Sequence, residues 1–311
     1  MRVVVTGGAG FIGSHLVDAL LAAGHEVRVV DDFSTGRLEN LPQGHAKLQV
    51  VRADVREFDA IRRAFEGAEL VFHLAALVSV PQSVQTPQRA HAINTTGTLN
   101  VLEAARQAGA RRVVLASSAA VYGEPETLPL HEGLLPRPLS PYASSKVANE
   151  ADAHAYTASM GLEAIALRFF NVYGPRQRAD NPYSGVIARF VEALRQGRAP
   201  TVFGDGHQTR DFIFVSDVVE ALLRAADAPA SAAGQAYNVC TGQAVSLLEL
   251  LDVLYRHFPH APRPKFGPPR AGDIRHSRGD PTRAAQKLGF RARVSLEEGL
   301  GRLIRAMLRE G

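Results

Sequence analysis

The chain has 311 residues, 46% hydrophobic and 21% charged, which is enough to bury one large core or two modest ones. Its 27 glycines and 18 prolines exclude a collagen-like, low-complexity or disordered chain, and a single cysteine, Cys240, excludes an intrachain disulfide or a cysteine metal cage. The net charge is only +4, with no block of like charges to suggest a nucleic-acid arm. No metal site is expected. No apolar run reaches the roughly 20 residues of a membrane span, and Met1 leads almost at once into Val3-Val4-Val5, which leaves no room for a signal peptide. A reducing, cytoplasmic setting without a membrane partner is expected. Four lysines stand against 31 arginines. Arginine suits phosphate, although a GC-rich genome accounts for the bias before any binding role does.

In chain order, Arg2 to Thr6 is a short β-branched run ending in Gly7-Gly8-Ala9-Gly10-Phe11-Ile12-Gly13. An apolar-periodic stretch from Leu16 to Leu21 follows as far as Gly24, so the segment reads strand, glycine turn, helix. His25 to Asp31 is a second strand at the βαβ period. Further strands are expected at Leu48 to Val51, Leu70 to His73, Val113 to Ser117 and Ala164 to Phe169. Helices are expected at Phe58 to Phe65, Ala90 to Ala108 and Pro141 to Ser159. This alternation predicts an α/β fold, a doubly wound parallel sheet with helices on both faces. Beyond Phe170 the rhythm breaks into Pro- and Gly-rich pieces with two more sheet-like runs, Asp211 to Val215 and Ala236 to Val239. The chain is therefore expected to cross between lobes: 1–171 plus about 209–243 in the main domain, and about 172–208 plus 244–311 in a smaller α/β lobe.

Gly7, Gly10 and Gly13 lie where absent side chains let backbone approach a pyrophosphate and a helix N-terminus supplies donors. Asp31 closes the second strand, where a carboxylate accepts the adenosine ribose hydroxyls and repels a 2′-phosphate; this favours NAD over NADP, with Arg37 close by. Asp54-Val55, just past the third strand, is placed to meet the adenine edge, and an Asp capping a helix start is an equally ordinary role. Tyr142 and Lys146 are four apart in a segment opened by Ser140-Pro141, so they share a helix face. A neighbouring ammonium lowers a phenol's pKa. Seven tyrosines and four lysines in this length give about 0.1 such pairs by chance. Ser118 follows the run Val113 to Ala116, which puts its hydroxyl at the C-terminal edge of the sheet. Ser118, Tyr142 and Lys146 thus make a candidate catalytic set.

These residues resemble the extended short-chain dehydrogenase/reductases, and among them the nucleotide-sugar epimerases. The carriers are Thr6 to Gly13, Asp31-Asp32-Phe33-Ser34-Thr35-Gly36, His73-Leu74-Ala75-Ala76, Ser117 to Gly123, Tyr142-Ala143-Ser144-Ser145-Lys146 and Arg168 to Pro175. The resemblance implies a Rossmann domain with bound NAD, held by Gly7, Gly10, Phe11, Ile12, Gly13, Asp31, Asp32, Ser34, Gly36, Asp54, Val55, Leu74, Ala75, Ala76, Tyr142 and Lys146. It also implies a smaller UDP-sugar lobe. There Asn171, Val202, Phe203, Arg210, Arg270, Asp273 and Ser277, with Ser118 and Tyr142, would meet a UDP-sugar. A homodimer paired through the helices near Ala90 to Ala108 and Pro141 to Ser159 is implied as well.

Several reactions fit that resemblance. Related dehydratases carry an Asp-Glu pair directly after the Ser/Thr, and related decarboxylases a Glu two residues after it. Here those positions are Ala119 and Ala120, which move no proton. Epimerisation at C4 of a UDP-hexose needs one acid/base group only. A 4,6-dehydratase, a UDP-glucuronate epimerase or decarboxylase, an ordinary NAD-dependent sugar dehydrogenase, and a non-catalytic dinucleotide sensor are the alternatives. In the resembled epimerases the residue four after this Asp lines the sugar pocket, so the resemblance implies that the small Ser277 leaves space for an N-acetyl group at C2.

Overall fold

The computed structural model describes residues 1–124, 126–178, 185–269 and 274–309. Seven strands, β1 (Arg2–Thr6), β2 (Glu26–Asp31), β3 (Leu48–Arg52), β4 (Leu70–His73), β5 (Arg112–Ser118), β6 (Glu163–Phe169) and β7 (Gln235–Val239), form one sheet in the order β7-β6-β5-β4-β1-β2-β3. Every pairing in it is parallel. The unbroken apolar runs explain this: Val3, Val4 and Val5, like Val113, Val114 and Leu115, have no exposed surface, as strands covered on both faces require. The predicted α/β doubly wound sheet is the one observed.

Five helices cover the sheet: α1 (Phe11–Ala22), α2 (Phe58–Ala64), α3 (Gly97–Gln107), α4 (Pro141–Ser159) and α5 (Val215–Asp227). Side chains alternate across a strand, so Val3 and Val5 pack with Leu16, Leu20, Val218 and Leu222 from α1 and α5. Val4 and Val71 face the other way, onto Ile61, Val101, Leu102, Ala153 and Tyr156 from α2, α3 and α4. A third apolar cluster joins Tyr173, Phe190, Val202, Phe212, Leu250, Leu254 and Leu303. It draws on the helices Val186–Arg195, Leu247–His257 and Leu296–Arg309 and on short strand pairs outside the main sheet. No helix among the described residues is long and apolar enough to cross a membrane.

Two expected elements change. The helix read from Ala90 to Ala108 is broken: Pro87–His91 and α3 flank a π-helical turn, Ala92–Thr96. Asn94 causes it by reaching back to Leu77, accepting from its N–H at 2.7 Å and donating to its carbonyl at 3.0 Å, while Thr98 Oγ1 donates to the Asn94 carbonyl. Inserted side-chain bonds of this kind widen a helical turn. The run Asp211 to Val215 yields only Phe212–Phe214, paired in parallel with Asn171–Tyr173 rather than with the main sheet. The Asp211 carboxylate explains the detour. It accepts from Thr241 N–H and Oγ1, Gly242 N–H and Gly279 N–H, tying three segments beneath the strand pair.

Arg112 at the start of β5 is buried and caps the C-terminus of α5, where Nη1 donates to the carbonyls of Ala225, Ala226 and Ala228 at 2.6–2.9 Å. Nε and Nη2 pair with Glu163 on β6. Replacing it by Met removes the donor to the Ala225 and Ala228 carbonyls and the partner of Glu163, so Arg112→Met is expected to lose about 3–5 kcal/mol of unfolding free energy in urea. A loss under about 1 kcal/mol would show that the carbonyls rehydrate freely.

Candidate active site

The order of the strands reverses between β1 and β4, and the loops beyond their C-terminal ends line the crevice expected there. Gly7 follows β1 with φ +68°, and its N–H donates to the Val30 carbonyl at 2.9 Å. A Cβ on Gly7 would lie 2.7 Å from the Ala75 nitrogen, and one on Gly13 would overlap the Gly7 carbonyl. Both positions therefore require glycine. Leu74 N–H donates to the Thr6 carbonyl and Ala75 N–H to Thr6 Oγ1, which holds the β4 loop and its Leu74-Ala75-Ala76 against the glycine turn. Gly10 caps α1 with no side-chain hydrogen bond, so the positive end of α1 is presented to the crevice by backbone alone.

At the end of β2, the buried Asp31 accepts from Ala9 N–H at 3.0 Å and Phe33 N–H at 2.9 Å. Burial still pushes its carboxyl above the ordinary value. Gly36 closes over it, since a Cβ there would lie 2.9 Å from Asp31 Oδ1. Asp32 accepts from Ser34 N–H and Oγ, shaping the same loop. Asp54 neither caps α2, whose N-cap is Glu57, nor stands unengaged: its carboxylate holds the Arg56 guanidinium. Val55 is buried against Gly97 at the start of α3. Phe11 and Ile12, opening α1, pack on the third apolar cluster.

α4 begins as its sequence requires, with Ser140 Oγ accepting from Ala143 N–H at 3.1 Å and Pro141 in the first turn. This sets Tyr142 and Lys146 on one face over β5. The Ser118 side chain lies beside the Tyr142 phenol, and Ser118 Oγ accepts from Ala120 N–H at 3.1 Å. Lys146 Nζ donates to the Ala116 carbonyl at 2.8 Å and lies 5.8 Å from the centre of the Tyr142 ring. The expectation that Lys146 lowers the Tyr142 pKa is corrected for this arrangement. Burial dominates and pushes the phenol up, and Ser118 beside it is the opposing influence. The same burial pushes Lys146 down to about 8, with the Glu150 carboxylate acting against it.

Among the implied substrate residues, Phe203 lines a cleft of about 560 Å³ together with Asp205, Gln208, Phe266 and Arg275. Val202 does not: it is fully buried in the third cluster, because alternate residues of a strand face opposite ways, and it is withdrawn as a side-chain contact. Asn171 is exposed at the start of the short strand Asn171–Tyr173, and Arg210 Nη1 donates to the Thr209 carbonyl at 2.8 Å. Ser277 is buried, with its N–H on the Thr209 carbonyl. Arg270 and Asp273 lie outside the described residues. Arg275 was missed by sequence reasoning; it meets Asp205 in a two-pronged pair at 2.7 and 2.8 Å at the cleft. Only the arginine-rich stretch around it gave a signal. His73, whose ring bridges Thr6 Oγ1 at 2.7 Å and Thr98 Oγ1 at 2.8 Å, was likewise unread beyond its motif.

The sequence profile of the NAD dependent epimerase/dehydratase family matches residues 3–240. The chain is 45% identical over 308 residues to a UDP-glucose 4-epimerase of Mycolicibacterium smegmatis, covering 98% of this chain and 97% of that one. The chain belongs to this family. Among solved structures it is similar to the UDP-glucose 4-epimerase of Thermotoga maritima with UDP-glucose, with a TM-score of 0.95, 37% identity and coverage of 100% and 99%. It is as similar in fold to a UDP-N-acetylglucosamine 4-epimerase of Methanobrevibacter ruminantium in complex with UDP-N-acetylmuramic acid, at 0.95 and 36% over 100% and 99%. Its cofactor is NAD, and the crevice fits that group. Backbone alone lines the α1 terminus where a Cβ would intrude, and a carboxylate at the end of β2 suits unphosphorylated ribose hydroxyls.

His73 gives this family member a pH signature. Burial, and secondarily the Lys146 charge, pushes its imidazole down to about 3 from an ordinary 6.5. The unfolded chain therefore binds a proton that the folded one does not as pH falls from about 6.5 to about 3, and stability falls across that window. Urea unfolding at pH 7 and pH 5 is expected to show His73→Gln losing less on acidification than wild type, by up to about 1.4 kcal/mol per pH unit. Parallel losses would assign the acid sensitivity to other groups.

Proposed function

We propose that this chain interconverts the C4 epimers of a UDP-hexose, UDP-glucose and UDP-galactose first, and accepts their N-acetylated counterparts. One observation carries the reading: among the described residues Tyr142 stands beside Ser118 as the acid/base group, and the residues next to Ser118 are the proton-inert Ala119 and Ala120. Elimination or decarboxylation needs a further acid or base there, whereas inversion through a ketone does not.

In this reading the α1 terminus at Gly10 and Gly13 holds the NAD diphosphate and Asp31 its adenosine ribose. When bound, NAD supplies the hydride acceptor and returns the hydride. Tyr142 Oη, as phenolate, takes the proton of the sugar C4 hydroxyl, and Ser118 Oγ donates to the same oxygen, which stabilises developing charge. Lys146 contributes a positive charge below the Tyr142 ring. After the 4-keto sugar turns over, its opposite face receives the hydride at C4 while Tyr142 gives the proton back to the C4 oxygen, so the stereocentre would invert with no cofactor consumed. Phe203 offers a face to the uracil, and Arg210 with Arg270 and Asn171 meets the diphosphate, a task for a guanidinium fork. Asp273 takes the uridine ribose. The third apolar cluster is then the core of the UDP-sugar lobe. A homodimer through α3 and α4 and a cytoplasmic setting complete the proposal.

Purified protein with UDP-galactose is expected to yield UDP-glucose without net NADH. Tyr142→Phe is expected to retain NAD and UDP-sugar while kcat falls about 10²–10⁴-fold. Stoichiometric NADH accumulation by wild type would point instead to a net dehydrogenase. For the sugar, Ser277→Tyr is expected to abolish turnover of UDP-N-acetylglucosamine by a clash and to spare UDP-galactose. Parallel loss of both would remove Ser277 as the gate.

A further inference from the structure

Below the Tyr-Lys pair, α4 carries one more charged residue on the same face. Glu150 lies four residues beyond Lys146 and points its carboxylate into the sheet. Ser117 Oγ donates to Oε1 at 2.5 Å, Arg168 Nε donates to Oε1 at 2.9 Å, and Arg168 Nη2 donates to Oε2 at 2.7 Å. The pair is deeply buried, with side chains 5% and 12% exposed for Arg168 and Glu150. Arg168 in turn lies over the Tyr122 ring at 4.8 Å, and the Tyr122 hydroxyl donates to Asn238 Oδ1 at 2.7 Å.

The placement is specific. Ser117 pairs with Arg168 across β5 and β6, and Ser118 is the next residue of the strand. Three successive turns of α4 thus meet three successive residues of β5: Tyr142 with Ser118, Lys146 with the Ala116 carbonyl, and Glu150 with Ser117. We propose that Glu150 is a positioning residue of this site: with Ser117 and Arg168 it fixes the seat of Ser118 and keeps a negative charge one helical turn below the Lys146 ammonium. The proposal rests on the epimerase reading for its kinetic consequence.

The charge arithmetic is direct. Around Lys146 stand Tyr142 and Glu150 on its own helix, His73 on β4, neutral over most of the pH range, and Arg168 on β6, reached through Glu150. With the carboxylate present, the buried cations Lys146 and Arg168 share one anion. Neutralise it, and the buried Lys146 ammonium keeps its desolvation penalty without the carboxylate that opposes it, which favours loss of the Lys146 proton. A weaker charge under the phenolate follows at lower pH.

Only four lysines are present, so 13Cε NMR of lysine-labelled holoenzyme, assigned with Lys146→Met, reads this titration without reference to turnover. In Glu150→Gln the Lys146 midpoint is expected to fall by about one pH unit, and the alkaline limb of kcat to move with it. Glu150→Asp is expected to restore most of both. In Ser117→Ala, which keeps the ion pair, kcat is expected to fall severalfold, with KM within about twofold and the midpoint unmoved. An unchanged Lys146 midpoint in Glu150→Gln overturns the proposal. Should that variant fail to fold, Ser117→Ala decides: wild-type kcat there overturns the proposal, and a kcat-only loss supports it. If wild type epimerises no UDP-sugar, the reading of the reaction fails while the midpoint still tests Glu150.

Discussion

The packing of α4 across the C-terminal end of β5 is the contact on which the site depends. A helix rising 1.5 Å per residue and a strand rising about 3.3 Å meet in register only over a short span, and Ser118, Tyr142 and Lys146 all lie in that span. Lys146 is bound to a backbone carbonyl of β5 rather than to a mobile partner, so its charge is fixed by the sheet. The helix is held from behind too. Asn94 Nδ2 donates to Ser145 Oγ at 3.1 Å, and Ser83 Oγ accepts from Tyr142 N–H at 3.1 Å. The π-helical turn that displaces Asn94 toward Leu77 and the seating of α4 are thus one local arrangement.

That arrangement has an electrostatic cost. Buried phenol and buried ammonium both shift toward their neutral forms, because desolvation penalises either charge alone. A phenolate and an ammonium formed side by side relieve each other, so the environment that raises the isolated phenol also strengthens its later partnership with Lys146. This is the physical content of a preorganised acid/base site: charges are disfavoured singly and tolerated together, where substrate joins them.

Much of this is legible in the sequence. Ser140-Pro141 marked the start of α4, and the continuous valine runs marked buried parallel strands. The glycine spacing marked a turn whose two tightest positions, Gly7 and Gly13, admit no side chain. What could not be read shares one trait. Glu150 finds Arg168 eighteen residues away and Ser117 thirty-three away, Arg275 finds Asp205 seventy away, and Asp211 draws donors from Thr241 and Gly279. Each is an ordinary surface charge by composition and becomes a lock only once the topology folds distant segments together. The break in the helix at Asn94 was hidden for a different reason: periodicity sees apolar positions, and the cause is one amide bonding to a loop. Of Val202 and Phe203, both read from one motif, strand alternation leaves Phe203 on the cleft and turns Val202 to the core.

α1 links the two halves of the chemistry. Its first turn forms the dinucleotide end of the crevice, yet Phe11 and Ile12 pack on the third cluster, His15 Nε2 contacts the Pro175 carbonyl at 2.9 Å, and Asp18 pairs with Arg176 at 2.8 Å. Burial holds His15 below its ordinary pKa, so the Pro175 contact is an Nε2–H donor bond of a neutral ring at neutral pH. The helix that presents its positive end to a diphosphate is thereby welded to the segment that follows Asn171 and Tyr173. A reaction that removes a hydride and returns it to the same carbon requires reduced cofactor and ketone to stay in one crevice while the sugar turns. In the proposed reading, attachment of α1 to the third cluster and to the segment at Pro175 and Arg176 would leave the substrate as the part that rearranges.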